Sequence, residues 1–278
     1  MTFGRRLHVA MRGRGQRCVG VDPHPSLLAA WGLSDDPAGL ERFALTAVEA
    51  LGDQVAVLKP QSAFFERHGS RGVAVLERTV AAARAAGALV LLDVKRGDIG
   101  STVQAYADAY LDPASPLCAD AVTASPYLGF ESLRPLLDTA LAYGRGVFVV
   151  TMTSNPEGSE VQQARLPDGR TVAGVMLDHV RKSNAGAAPL GSVGCVIGAT
   201  TPNTGEDLDV GGPLLVPGIG TQGGTVADLA RRFGAVLHRV LPSSSREILS
   251  AGPDQNALKA AATRTFGEFT LLSGPESR

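Results

Sequence analysis

Residues 91–102 read LLDVKRGDIGST, an apolar strand end that runs directly into Asp93, Lys95 and Asp98. The VLL run at 90–92 has the composition of a buried strand, and Gly97 and Gly100 mark its passage into a loop. On an extended strand, positions 93 and 95 share a face. Opposite charges at the C-terminal end of a buried strand are where parallel α/β enzymes keep their chemistry. A D-x-K standing by itself is more often a salt bridge that caps the strand, so the rest of the chain has to decide.

Outward from this stretch, short apolar runs recur at RCVGVD (17–22), QVAVLK (54–59), ALVLLDVK (88–95), DAVTAS (120–125), GVFVVTM (146–152), GCVIGAT (194–200), PLLVPGIG (213–220) and LHRVL (237–241). Helical periodicity lies between them. Leu40, Phe43, Ala47 and Leu51 fall on one face of 37–52, and 72–87 and 130–144 behave alike. The segments 161–186 and 225–234 supply two more helices, and 256–269 closes the chain. Eight strands alternating with helices predict a (β/α)8 TIM barrel, an α/β fold, in preference to a doubly wound open sheet. The runs are apolar on both faces, as parallel strands covered by helices must be. One domain over 1–278 is expected, with an N-terminal helical extension over about 1–16 that carries several arginines.

Composition limits the partners. The 278 residues have a net charge of −1, so no global field favours nucleic acid or an anionic membrane. No apolar run approaches the roughly 20 residues of a membrane helix. The N-terminus lacks the apolar core of a signal peptide, and a cytoplasmic protein is expected. Cys18, Cys118 and Cys195 are far apart and odd in number, which fits reduced core thiols. No metal-ligand spacing occurs, so neither a metal nor a cofactor is expected. The histidines at 8, 24, 68, 179 and 238 show no triad or ligand pattern and are assigned no chemistry. His24 is read as a loop residue, Asn155 as a turn residue before Pro156, and Phe64 and Phe65 as packing.

In a barrel the polar residues at strand ends share one rim. Here they are Asp22, Lys59, Asp93, Lys95, Asp98, Thr153, Ser154, Asn155, Gln222 and Arg246. The segments VDPHP (21–25), LKPQSAFFERHG (58–69), DVKRGDIGSTVQAYADAYL (93–111), TASPYLG (123–129), TSNPEG (153–158) and VPGIGTQGG (216–224) resemble the orotidine 5'-phosphate decarboxylase family, in particular its longer-chain class. The resemblance runs in order from about residue 17 to about residue 250. D-x-K-x-x-D-I with an upstream lysine is its most specific part.

The resemblance implies that Lys59, Asp93, Lys95 and Asp98 form the family's alternating charged array and carry catalysis. It implies that Asp98 and Thr102 serve the site of a neighbouring subunit, which makes the working unit a homodimer. Asp22 and Lys59 match the positions that hold ribose hydroxyls, Thr153 and Ser154 those at the pyrimidine, and Gln222 and Arg246 the grip on phosphate. Ile99 and Pro217 match further substrate contacts. The chain departs from the shorter-chain pattern, in which an arginine follows a strand-end glycine, because it has LPSSSREIL at 241–249 instead.

The implied reaction suits these residue types. Decarboxylation of orotidine 5'-phosphate to uridine 5'-phosphate leaves a carbanion at pyrimidine C6 with no adjacent carbonyl to delocalise it. A lysine ammonium can be first a countercharge and then a general acid. Carboxylates on either side oppose the loss of its proton in a partly desolvated site. One rival is a metal-dependent decarboxylase of a sugar-phosphate keto acid, which shares D-x-K-x-x-D but takes a carboxylate from the preceding strand. Here that strand ends in Lys59. The other rival, a non-catalytic nucleotide-binding barrel, has no use for four charges held together.

Overall fold

Why the chain closes on itself follows from its strands, each too apolar to leave either face in water. The computed structural model describes residues 1–220 and 226–272. Its strands are β1 (Cys18–Val21), β2 (Val57–Pro60), β3 (Leu89–Arg96), β4 (Ala121–Ala124), β5 (Gly146–Met152), β6 (Val193–Ile197), β7 (Leu214–Pro217) and β8 (Val240–Ser244). Each pairs in parallel with the next, and β8 pairs with β1, which closes the expected barrel. Among the described residues, no helix is long and apolar enough to cross a membrane.

The helices follow local signals. Pro37 opens the helix Pro37–Leu51, and the Asp36 carboxylate accepts the Gly39 N–H at 2.8 Å. The continuous helical reading of 161–186 is corrected. A helix Ser159–Gln162 ends early, Arg165 and Thr171 bridge across the Pro167–Asp168–Gly169 turn, and a new helix Val172–Ser183 starts under the Thr171 hydroxyl. Proline, aspartate and glycine in sequence favour a turn over the helical period. The eighth strand is corrected too. Residues 234–239 form a 3-10 helix and the strand begins at Val240, so that Ser243 and Ser244 lie on it. Stopping at Pro242 was the misleading signal, because its strand still pairs with β7 at Val216.

Two apolar layers result. The larger lies between strands and helices. The smaller fills the barrel with Cys18, Val57, Leu91, Ala121, Phe148, Val196, Leu215 and Leu241, and Phe3, Leu7 and Met11 of the N-terminal helix Phe3–Arg14 pack onto it. That helix plugs the N-terminal end of the barrel. Phe3 meets Phe148 edge-on at 6.0 Å, and a Cβ on Gly146 would lie 2.3 Å from the Phe3 ring, so glycine is required there.

Asp120 fastens the plug. It is buried one residue before β4 and accepts from Arg6 of the plug helix, from Arg145 at 3.1 Å and from the Val90 N–H at 2.9 Å. Strand alternation also places the site. Two positions beyond Val57, Leu91, Ala121, Leu215 and Leu241 stand Lys59, Asp93, Thr123, Pro217 and Ser243. The barrel's inward face therefore turns from apolar to polar at its C-terminal mouth.

Replacing Asp120 by Ala leaves two guanidinium groups and a buried N–H without their acceptor. Denaturant unfolding of Asp120→Ala is expected to show a loss of roughly 2–4 kcal/mol. A loss below about 0.5 kcal/mol, the scale of a neutral surface change, would show that the plug is held by packing without this ion pair.

Candidate active site

Asp93 is the centre of the mouth. Its side chain is 9% exposed, and Lys59 Nζ lies 3.0 Å from Oδ2 while Lys95 Nζ lies 2.6 Å from Oδ1. The Thr123 hydroxyl donates to Oδ1 at 2.8 Å. With its amide nitrogen turned inward, Gln61 donates to Asp93 Oδ2 at 2.9 Å and to the Asp93 carbonyl at 2.8 Å. Burial opposes the charge of Asp93, but Lys59 and Lys95 outweigh it and hold the carboxyl far below its ordinary range. Burial likewise opposes the charge of Lys59, and Asp93 with Asp22 more than offsets it, so Lys59 stays charged well above lysine's ordinary value.

The two lysines differ in access: the Lys59 side chain is 8% exposed and that of Lys95 46%. The backbone explains the difference. Lys95 has φ 45°, in the left-handed region that disfavours a residue with a side chain. The β3–β4 register shifts between Leu92 and Arg96, and the Lys95 N–H goes to the Thr123 hydroxyl at 2.9 Å. Position 95 therefore does not continue the regular strand as its spacing from Asp93 predicts. The twist nevertheless brings the ammonium back over the carboxylate.

Asp22, Lys59, Pro217 and Arg246 come together in a pocket of about 110 Å³ that also takes in His24, Ser243, Ser244 and Ser245. Asp22 Oδ1 and Ser245 Oγ are buried there without hydrogen-bond partners among the described residues. The pocket is close-built, since a Cβ on Gly20 would stand 2.9 Å from both Asp22 Oδ2 and Ser245 Cβ.

Thr153 and Ser154 line a second pocket of about 310 Å³ together with Asn155, Gln162, Thr200 and Thr201. Gln162 clamps Thr153, accepting from its N–H at 2.8 Å and donating to its hydroxyl at 2.7 Å. Its lining can hydrogen-bond the neutral edges of a ligand and offers no ionisable group.

Asp98 does not join that array within its own chain. Its carboxylate accepts the Ile99 N–H at 2.7 Å, and it forms no ion pair with Lys59 or Lys95 among the described residues. Ile99 and Thr102 are exposed. Gln222 lies outside the described residues.

Thr123 and His24 are the functional candidates that sequence reasoning missed. Thr123 was legible in the alternation from Ala121 along β4, whereas His24 carried no spacing signal; it lies in the loop after β1, as read, and lines the pocket from there. Asn155 accepts from the Thr153 hydroxyl at 2.6 Å, and Phe65 is a core residue as expected. Among the described residues no group of three or more His, Cys, Asp or Glu side chains is placed to hold a metal ion.

Residues 16–261 match the model of the orotidine 5'-phosphate decarboxylase / HUMPS family. An orotidine 5'-phosphate decarboxylase from Salinispora arenicola is 65% identical over 268 residues, 96% of each chain. One from Streptomyces coelicolor is 61% identical over 263 residues, covering 94% of this chain and 95% of the other. A crystal structure from Streptomyces avermitilis superposes with a TM-score of 0.96 at 60% identity, covering 99% of this chain and 96% of that one. The Leishmania donovani OMP decarboxylase structure gives 0.78 at 29% identity, covering 99% of this chain and all of the other. A family match across most of the barrel, joined to relatives of this identity along nearly the whole length, shows that the chain belongs to the orotidine 5'-phosphate decarboxylase / HUMPS family.

Proposed function

We propose that the protein converts orotidine 5'-phosphate to uridine 5'-phosphate and CO2 in pyrimidine biosynthesis, with Lys95 acting at pyrimidine C6. The observation that carries this reading is the buried Asp93 carboxylate between two ammonium groups, 3.0 Å from Lys59 and 2.6 Å from Lys95, at the mouth of the barrel.

Departure of CO2 leaves the bonding electron pair on C6. A cation already fixed at that carbon stabilises the developing charge without reorganising solvent. The same ammonium then gives its proton to the electron pair, and the resulting amine is reprotonated from water. Asp93 and Thr123 hold Lys95 in place, and Lys59 keeps Asp93 charged. Asp93 also faces the substrate carboxylate in this pose, a repulsion that ends when CO2 leaves.

Asp22 and Lys59 serve the ribose, and Arg246 with Gln222 serves the phosphate. Thr153 and Ser154 serve the neutral base, while Ile99 and Pro217 complete the contacts. The 5'-phosphate is remote from C6, yet its binding energy can hold the ring at the array.

The working unit is a homodimer in which Asp98 and Thr102 complete the neighbour's site. The support is local: Asp98 is tied to Ile99 instead of its own lysines, and Ile99, Tyr127 and Leu128 are exposed on the loops after β3 and β4. Apolar side chains at such a rim are suited to burial against a second copy. The three free, buried cysteines fit a cytoplasmic location.

Adding orotidine 5'-phosphate and following its ultraviolet absorbance tests the activity directly. A chelator in the same assay is expected to leave the rate unchanged, because the Lys59 ammonium fills the place beside Asp93 that a divalent ion would occupy. Loss of activity restored by a divalent cation would favour the sugar-phosphate rival.

Lys95→Ala is expected to lose more in kcat than the roughly 10²–10⁴-fold of a typical general acid, since it removes the countercharge as well as the proton donor. Product affinity should fall far less, and Lys95→Arg should not rescue, because a guanidinium is larger and holds its protons. A Lys95→Ala enzyme within tenfold of the unaltered protein would refute the assignment.

The shared site is tested by mixing inactive Asp98→Ala and Lys95→Ala chains in equal amounts. Random exchange gives dimers with one intact site, and about a quarter of the full activity should return. Proven exchange without recovery would mean that each site belongs to one chain.

A further inference from the structure

His24 stands in the pocket that holds Asp22, Lys59, Ser245 and Arg246. Its backbone is tied on both sides: the N–H donates to the Asp22 carbonyl at 2.8 Å, and its own carbonyl accepts from Leu27 and Leu28. The imidazole packs edge-on against Phe64, with ring centroids 4.2 Å apart. Packing thus fixes the ring, while its nitrogens carry no hydrogen bond among the described residues. They are available to whatever fills the pocket.

The charged groups around the ring are Asp22 on its own loop, Lys59 at the end of β2 and Arg246 at the start of the Arg246–Leu249 turn. The short helix Ala63–Glu66 contributes the apolar ring of Phe64. Lys59 is already engaged by Asp93 at 3.0 Å, so the Arg246 guanidinium beside the imidazole is the cation that makes a place for an anion. The unpartnered Asp22 Oδ1 and Ser245 Oγ add an acceptor and a hydroxyl that a bound ligand can satisfy.

We propose that His24 is a further binding residue for the substrate's 5'-phosphate, and that it takes up a proton as the phosphate enters between it and Arg246. The proposal rests on the reading of this pocket given under Proposed function. In the free protein, burial lowers the pKa of His24, Asp22 opposes that shift and Arg246 adds to it. A dianionic phosphate reverses the balance, because it offsets the guanidinium and accepts charge-assisted hydrogen bonds from the ring. The bound-state pKa then lies above the free-state value. Binding takes up a proton between the two, so affinity rises as pH falls through the bound-state pKa and levels off below the free-state one.

The test compares the unaltered protein with His24→Gln, which keeps a donor but cannot titrate, and His24→Leu, which keeps only bulk. KM and kcat for orotidine 5'-phosphate are measured from about pH 6 to 8, where an imidazole titrates. Calorimetry of uridine 5'-phosphate binding in two buffers of different ionisation enthalpy counts the protons exchanged. His24→Leu is expected to raise KM by about 10–100-fold, with a smaller effect on kcat.

His24→Gln should recover part of that affinity, lose the extra pH dependence of KM and take up fewer protons than the unaltered protein. Uridine, which lacks the phosphate, should discriminate among the three proteins much less than uridine 5'-phosphate does. If the unaltered protein turns over substrate while all three share one KM and one proton count, this inference falls and the proposed function stands. If the unaltered protein neither turns over nor binds the nucleotide, both fall.

Discussion

A carboxylate buried to the extent of Asp93 would cost several kcal/mol if left unpaired, so its two ammonium partners and the Thr123 hydroxyl are conditions for the charge to exist at all. The rest of the mouth is arranged around that need. β2 delivers Lys59 from the fully apolar interior, two residues beyond Val57. β4 delivers Thr123, which serves both the Asp93 carboxylate and the Lys95 N–H. β3 breaks its own regularity so that Lys95 can turn back on Asp93. A non-glycine residue in the left-handed region costs about 1–3 kcal/mol. The neighbouring strand's hydroxyl and the ion pair at 2.6 Å offset that cost.

The two ends of the barrel divide the work. At the N-terminal end, Phe3, Leu7 and Met11 fill the opening and Asp120 ties Arg6 to Arg145. The Asp120 carboxylate there is buried and paired on every side. At the C-terminal end, Asp22 Oδ1 and Ser245 Oγ have no hydrogen-bond partners among the described residues, and Lys95 is half-exposed. A fold tolerates such unsatisfied groups where a ligand completes them. The contrast separates a face that contributes stability from one that contributes chemistry.

Much of this was legible in the chain because periodicity and charge are local properties. Eight apolar runs marked the strands, and a lysine at 59 followed by D-x-K marked the three charges that meet at Asp93. What escaped depended on contacts between distant segments. Thr123 acts through a side chain 30 residues before it in sequence. His24 acquires its place from Phe64 and Arg246, on two other elements. The left-handed Lys95 could not be inferred from a spacing that suggests a continuous strand. Pro242 concealed a strand that closes the barrel through Ser243 and Ser244, which pair with β1.

The unequal burial of Lys59 and Lys95 gives the array its direction. Both ammonium groups touch the same carboxylate, yet one side chain is 8% exposed and the other 46%. Lys59 is held charged by Asp93 and Asp22 and is almost wholly shut away from the water that would exchange its proton. It is a fixed countercharge. On the proposed reaction, Lys95 hands its proton to the ligand and recovers one from water, and Asp93 remains balanced by Lys59 meanwhile. On the proposed reaction, the left-handed turn at Lys95 is therefore what converts a closed ion pair into a proton donor.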